Sequence, residues 1–142
     1  MFDPLDLLGP IIVIAKLILQ NLWKSGIHWD ESMPQEIHTS WLKLKSQIPG
    51  TAQLRILRCT KFSSNLQSVQ LHGFCDASQN AYSACVYVRA VIGLQECRSE
   101  LLCSKSRVAS LKALSLPRVE LSAAVLLAQL ISKIKNSLEA PV

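Results

Sequence analysis

The sequence predicts an α/β fold in which a helical N-terminal segment precedes three antiparallel strands and a last helix. Apolar residues recur at helical spacing over residues 10–24 and 33–47. Alternating stretches between residues 69 and 106 indicate strands, and a wide apolar helical pattern covers residues 117–136. The 142 residues, 49% of them apolar, suffice for one domain or for one domain plus a piece of another.

The first half of the chain is predicted to form two helices. Pro10 suits the first turn of a helix, which then ends at Ser25-Gly26. This helix is apolar on most sides, which indicates that other protein covers it. Ser32 followed by Gln35 resembles a capping box for the second helix, which Pro49-Gly50 ends. The apolar stripe of the second helix comprises Ile37, Trp41, Leu44 and Ile48.

The second half is predicted to hold three strands and a helix. Residues 69–75 and 81–89 flank a turn at Gln79-Asn80 and are expected to pair antiparallel, and residues 101–106 form the third strand. The apolar face of the last helix comprises Val119, Ala123, Leu126, Leu127, Leu130, Ile131 and Ile134.

A domain boundary is predicted in the mixed stretch over residues 51–67, where Ser63-Ser64-Asn65 marks a loop. It separates a helical segment, residues 1–66, from a sheet-containing unit, residues 67–142.

Composition restricts the class of protein. Fifteen Lys and Arg against ten Asp and Glu give a net charge of +5, which is compatible with nucleic-acid binding. The number of cysteines is odd and no C-x-x-C pair occurs, which favours reduced thiols in an intracellular protein over a disulfide framework. The three histidines are not spaced as zinc ligands relative to these cysteines. The cysteines are Cys59, Cys75, Cys85, Cys97 and Cys103.

The most apolar stretch, residues 7–22, is too interrupted to predict a membrane span. Gly9 and Lys16 are among the residues that break it, and a bilayer span requires about 20 apolar residues. Asp3 and Asp6 precede it, where a signal peptide carries basic residues. A buried helix with no membrane partner is the preferred interpretation, and membrane association is a weaker alternative.

Two acidic residues stand in apolar surroundings at positions that suit a metal-dependent nuclease. Asp76 follows Phe74 and Cys75 where the first strand ends, and Glu120 lies near the start of the last helix. Two-metal nucleases gather several carboxylates around ions about 3.5–4 Å apart, and Mg²⁺ prefers oxygen ligands. An acid in apolar surroundings is costly unless it is paired, hydrogen-bonded or metal-bound. The two residues are therefore candidate catalytic and metal-binding residues.

Each of these features has a structural alternative. Asp76 before Ala77-Ser78 can cap a turn, and a Glu in the first turn of a helix is favoured by the helix dipole. A basic stretch before and in the last helix can contact nucleic-acid phosphates or form a solvated loop. Its residues are Lys105, Arg107, Lys112 and Arg118. The tryptophans, for which core packing is preferred over base stacking, are Trp23, Trp29 and Trp41.

Four blocks of the sequence resemble BEL/Pao-type retrotransposon polyproteins, in the order expected there. The first resembles the segment that follows the polymerase core, and the others resemble the first part of an RNase H-like domain. Several blocks in order are more specific than any single motif. The blocks are Phe2-Asp3-Pro4-Leu5 with Leu7-Leu8 and Pro10; His72-Gly73-Phe74-Cys75-Asp76-Ala77-Ser78 with Ala81-Tyr82; Lys105-Ser106-Arg107-Val108-Ala109 with Leu111-Lys112; and Pro117-Arg118-Val119-Glu120-Leu121.

The resemblance implies the end of a reverse-transcriptase module joined to an incomplete RNase H-like unit of three antiparallel strands and one helix. Asp76 matches the first catalytic carboxylate of the RNase H fold, and Glu120 matches the second. The implied reaction is Mg²⁺-dependent hydrolysis of the RNA strand of an RNA–DNA hybrid. The implied partners are that hybrid or another nucleic acid, and the remainder of the retroelement polyprotein.

The chain departs from the family pattern at two places. The pattern places a third acid on the strand after the last helix, whereas only Glu139 remains in this sequence, so we expect the chain alone to be inactive. The pattern also favours a small residue, usually Gly, at the position of Asp6. The alternative function is a non-catalytic remnant of a retroelement that binds nucleic acid or protein.

The family region is often labelled a Pao retrotransposon peptidase, but proteolysis is not expected. A retroviral-type aspartic protease uses an Asp followed by Thr or Ser and then Gly, with paired acids that share a proton. Asp76 is followed by Ala77-Ser78, and Asp3, Asp6 and Asp30 offer no such loop either.

Overall fold

The computed structural model describes residues 3, 5–55, 66–92, 96–112 and 114–137, and it confirms the predicted α/β class. Three helices accompany an antiparallel sheet of three strands in the order β1-β2-β3, which is consistent with an incomplete RNase H-like unit. The elements are α1 (Gly9–Lys24), α2 (Gln35–Gln47), a 3₁₀ helix (Ile48–Gln53), β1 (Leu66–Ala77), β2 (Ala81–Ile92), β3 (Glu96–Val108) and α3 (Leu116–Ser137).

The predicted capping box at the start of α2 is wrong. The N-cap position is taken by Pro34, and no side chain caps the helix. Pro34 fixes its own φ at −54°, and its carbonyl accepts the first helical bond, 3.0 Å from the His38 nitrogen. Ser32 therefore lies two residues outside the helix, too far along the chain to satisfy its first amides.

The strand register divides the sheet into two sides. The loop at residues 78–80, which includes the predicted turn Gln79-Asn80, joins β1 to β2. Phe74 lies opposite Cys85, which in turn lies opposite Ser104 of β3. Directly paired residues share a side, and successive residues alternate. We call the side that carries Phe74, Cys85 and Ser104 the α1 side, and the other the α3 side, after the helix packed on each.

Helix α3 packs closely on β1 because Gly73 has no side chain. A Cβ built there would lie 2.7 Å from Leu127 Cδ1 and 2.9 Å from Ile131 Cδ1. The buried residues of α3 are Val119, Ala123 and Leu126, all of which belong to the predicted apolar face. They pack over the buried side of β2, which comprises Ala84, Val86, Val88 and Ala90.

Helix α1 packs on the other side of the sheet, against β3. The Lys16 ammonium donates to the Ser106 carbonyl at 2.8 Å, and the Gln20 amide donates to the Ala109 carbonyl at 2.6 Å. The backbone N–H of Ser104 also donates to the Leu5 carbonyl at 2.8 Å. The helical segment and the sheet therefore share hydrogen bonds, while the domain boundary at residue 66 stays a prediction. The predicted loop at residues 63–65 lies outside the described residues.

The prediction that the tryptophans pack in the core is wrong. The exposed fraction is 78% for Trp23, 103% for Trp29 and 41% for Trp41. Helix α2 packs on α1 and the 3₁₀ helix rather than on the sheet, so the apolar stripe of α2 buries fully only Leu44. Residues 9–53, which hold α1, α2 and the 3₁₀ helix and which we call the helical arm, thus carry aromatic side chains in solvent.

The described cysteines are free thiols, namely Cys75, Cys85, Cys97 and Cys103. Burial raises the pKa of Cys103, and it is also the largest cause of the raised pKa of Cys85. Both side chains therefore stay protonated near neutral pH. In the part of the chain that the structure describes, no helix is long and apolar enough to cross a membrane.

Candidate metal-binding site

Asp76 is the last residue but one of β1 and is exposed to solvent. Alternation along the strand places it on the α1 side, where it lines a cavity of about 440 Å³ together with Ser83 and with Pro10 and Val13 of α1. Its Oδ1 accepts a hydrogen bond of 2.8 Å from the Ala77 N–H. This local bond fits the turn-capping alternative, and it leaves the second carboxylate oxygen available to a ligand.

Glu120 is the fifth residue of α3 and is also exposed. The dipole effect falls off within the first turn of a helix, so this position depends little on it. Leu127 and Ile131 follow Glu120 by seven and eleven residues, which are close to whole numbers of helical turns. Because these two side chains lie against Gly73, Glu120 is on the side of α3 that faces β1.

The two acids lie at the same end of the sheet. From Gly73 to Asp76 the strand advances about 10 Å, and from Leu127 back to Glu120 the helix advances about 10.5 Å. Helix α3 runs with its N-terminal half at the Asp76 end of β1, because Tyr82, which pairs with Ala77, lines a groove with that half. That half includes Leu121 and Ser122, the residues that follow Glu120.

The free edge of β1 lies between the two acids. Among the described residues β1 pairs with β2 alone, so the outer edge of β1 is unpaired there. Asp76 approaches this edge from the α1 side, and Glu120 approaches it from the α3 side. The sequence prediction paired these residues as metal ligands; the structure brings them to one end of one strand, on its two sides.

The side chains at this end of β1 are of a type that suits a hard divalent cation. Both candidates are carboxylates, which are suitable ligands for Mg²⁺. Both side chains are exposed, so a cation can reach them from solvent. Across the described ranges, no group of three or more His, Cys, Asp or Glu side chains is arranged to hold a metal ion.

The predicted basic residues are all exposed, and they divide into two pairs. Lys105 and Arg107 lie two residues apart on β3, and both project to the α3 side. Arg107 lines a groove of about 290 Å³ with Tyr82 and with Ser122 of α3. It is therefore at the same end of the sheet as the two acids. Lys112 precedes α3, and Arg118 is in its first turn.

A buried polar network that the sequence analysis missed attaches the N-terminal residues to β3. The Asp6 side chain is 3% exposed and accepts hydrogen bonds from the backbone N–H of Ser106 and from its hydroxyl, the latter at 2.8 Å. The Lys16 ammonium donates to the same serine, at its carbonyl. Asp3 supports the segment by accepting from the N–H groups of Leu7 and Leu8.

One signal for this network was present in the sequence. The φ of Asp6 is +54°, a left-handed conformation that glycine adopts most easily and Asp tolerates better than most residues. A position where the resembled family favours a small residue, usually Gly, is one at which a left-handed backbone is expected. Its partner Ser106 is 100 residues away along the chain, so no local pattern could identify it.

A family model described as a Pao retrotransposon-like RNaseH-like domain matches residues 1–142. The match includes the helical arm as well as the sheet and α3. No curated protein and no solved structure gives a significant match.

Proposed function

The chain belongs to the Pao retrotransposon-like RNaseH-like domain family, and from this premise we propose that it derives from a metal-dependent RNase H acting on RNA–DNA hybrids. Asp76 and Glu120 are then two of the carboxylates that hold the metal. The observation that carries this assignment is their arrival, from a strand and a helix 44 residues apart, at one end of β1. The local capping preferences of Asp76 and Glu120 would not by themselves bring the two residues to the same end of a strand.

Each part of this end has a role in the proposed reaction. When bound, Mg²⁺ supplies charge stabilisation at the phosphate and a more acidic water. Asp76 and Glu120 fix the position of the cation, and the exposed end of β1 leaves room for a nucleic-acid backbone. Arg107, with Lys105 behind it on the same side of β3, supplies positive charge for the phosphates.

We further propose that the 142-residue chain alone does not complete this reaction. Two carboxylates without further acids hold Mg²⁺ weakly, and two unneutralised acids repel each other. The remainder of a retroelement polyprotein is the proposed source of the other ligands. Its natural attachment point is the free edge of β1, which offers unpaired backbone groups to an additional strand.

The test is cleavage of a labelled RNA–DNA hybrid in the presence of Mg²⁺. We expect no cleavage by the chain alone, and cleavage by a version extended with downstream Pao polyprotein sequence. In the extended version Asp76→Asn and Glu120→Gln should each abolish cleavage. Asp30→Asn, which removes an exposed acid of the helical arm, should leave it unchanged.

Two outcomes would contradict the proposal in different ways. Cleavage by the chain alone that disappears in Asp76→Asn would show that the chain needs no further acids. Cleavage by the extended version that survives both Asp76→Asn and Glu120→Gln would remove the site assignment itself.

The second candidate function is a non-catalytic retroelement remnant that binds nucleic acid or protein. The exposed Trp23 and Trp29 of the helical arm favour it, because large aromatic side chains in solvent are typical of interaction surfaces. Salt-dependent binding of a hybrid by the extended version, with no cleavage under any metal, would favour this function over the nuclease.

A further inference from the structure

The α1 side of the sheet is open where α1 does not cover it. Helix α1 packs on β3, and over β1 and β2 a cavity of about 590 Å³ remains. Its lining is aromatic and polar rather than aliphatic, and it comprises His72, Phe74, Cys85, Tyr87, Arg89 and Ser99. We call His72, Phe74, Tyr87 and Arg89 the sheet platform.

The aromatic rings of the sheet platform are presented to solvent. Phe74 is 58% exposed and Tyr87 is 37% exposed. Their centroids lie 6.0 Å apart with an interplanar angle of 81°, so each ring supports the other edge-to-face. The exposed part of the Phe74 ring is apolar surface that a ligand can cover.

Polar groups beside the rings hydrogen-bond to one another on the same side of the sheet. The Gln70 amide oxygen lies 3.4 Å from His72 Nε2 and 3.5 Å from Arg89 Nη1. A second guanidinium nitrogen of Arg89 donates to Cys97 Sγ at 3.3 Å. Arg89 is thereby oriented across the sheet, with a planar cation next to the rings.

The charge of this side suits a polyanion. Arg89 is a permanent cation, and the whole chain carries +5. The register places Glu100 on the α3 side. Asp76 is on the α1 side, one same-side position beyond Phe74, a step of about 6.7 Å.

We propose that the sheet platform binds a single-stranded nucleic acid whose bases stack on Phe74 and Tyr87 and whose backbone contacts Arg89. This binding rests on the proposed nucleic-acid function and deepens it. Phe74 and Tyr87 lie on neighbouring strands with ring centroids 6.0 Å apart, a spacing that suits bases splayed out singly rather than stacked on one another. The bound strand leads past Phe74 to Asp76, so the platform delivers it to the candidate metal-binding end.

The test is fluorescence anisotropy of labelled oligouridine and oligothymidine 12-mers with the 142-residue chain in EDTA. We expect Phe74→Ala and Tyr87→Ala each to weaken binding by about fivefold or more, the low end for loss of one base–aromatic stack. Phe74→Trp should retain the parent affinity, because a ring is kept. Arg89→Gln should reduce the slope of log affinity against log salt by about 0.7.

Leu19→Ala is the matched control, because Leu19 is 57% exposed but lies on α1. It should bind as the parent does. An unlabelled RNA–DNA hybrid should compete poorly, since its bases are already stacked inside the duplex. Oligonucleotide binding that is absent in the parent, or equal in Phe74→Ala and the parent, would overturn the proposal and assign the exposed rings to a protein contact. EDTA removes metal from the assay, so this result is independent of hybrid cleavage.

Discussion

Replacing Asp6 by alanine is expected to lower the free energy of unfolding by about 2–4 kcal/mol. The substitution leaves the buried N–H of Ser106 without its carboxylate acceptor and keeps a φ of +54° that alanine adopts with strain. It also removes the side-chain anchor of the residues before α1, while the backbone bond from the Ser104 N–H to the Leu5 carbonyl stays. Urea denaturation followed by circular dichroism measures the change.

Asp6→Gly separates the backbone contribution from the lost hydrogen bonds. Glycine adopts the positive φ freely, so this variant should be about 1 kcal/mol more stable than Asp6→Ala. Ser106→Ala removes only the hydroxyl donor and should cost less than either change. Equal stability of Asp6→Ala and the parent would show that the N-terminal residues do not dock on β3.

Replacing Gly73 by valine is expected to lower the free energy of unfolding by about 1–3 kcal/mol. A Cβ at this position already meets Leu127 Cδ1 at 2.7 Å, and the two further methyl groups of valine must displace α3. Gly73→Ala should cost little, because the ends of the Leu127 and Ile131 side chains can rotate away. Thermal and urea unfolding measure both variants.

The double variant Gly73→Val with Leu127→Ala tests the contact directly. Removing the Leu127 side-chain atoms makes room for the valine, so the two changes together should cost less than the sum of the single changes. Strict additivity would mean that α3 does not lie on Gly73. The placement of Glu120 beside β1 would then lose its support as well.

The helices and strands were predictable because their signals are local. Alternation gave each strand, and the apolar spacing of α3 identified the three side chains that it buries, Val119, Ala123 and Leu126. Sequence also singled out Asp76 and Glu120, which lie at the same end of β1, while their role as metal ligands stays a prediction. Periodicity shows which residues share a side of a strand or helix.

The structural features that the sequence did not predict correctly depend on which element packs on each side of the sheet and of the helices. Phe74 alternates as a buried strand residue would, yet α1 packs on β3 and leaves it open. The tryptophans are large enough for a core, but α2 packs on α1 and the 3₁₀ helix, and Trp29 lies in the connection between α1 and α2. The Asp6–Ser106 contact joins residues at opposite ends of the chain, which no local pattern reports.

Binding of Mn²⁺, followed by the electron paramagnetic resonance signal of the free ion, tests the shared metal site most directly. The parent chain should bind one ion weakly, and Asp76→Asn and Glu120→Gln should each lower the affinity by about tenfold or more. The double variant should bind the ion more weakly than either single variant, because each acid contributes a ligand to the same ion. Single variants that bind as the parent does, or a parent that binds two ions of which each single variant loses one, would contradict a common metal site at the end of β1.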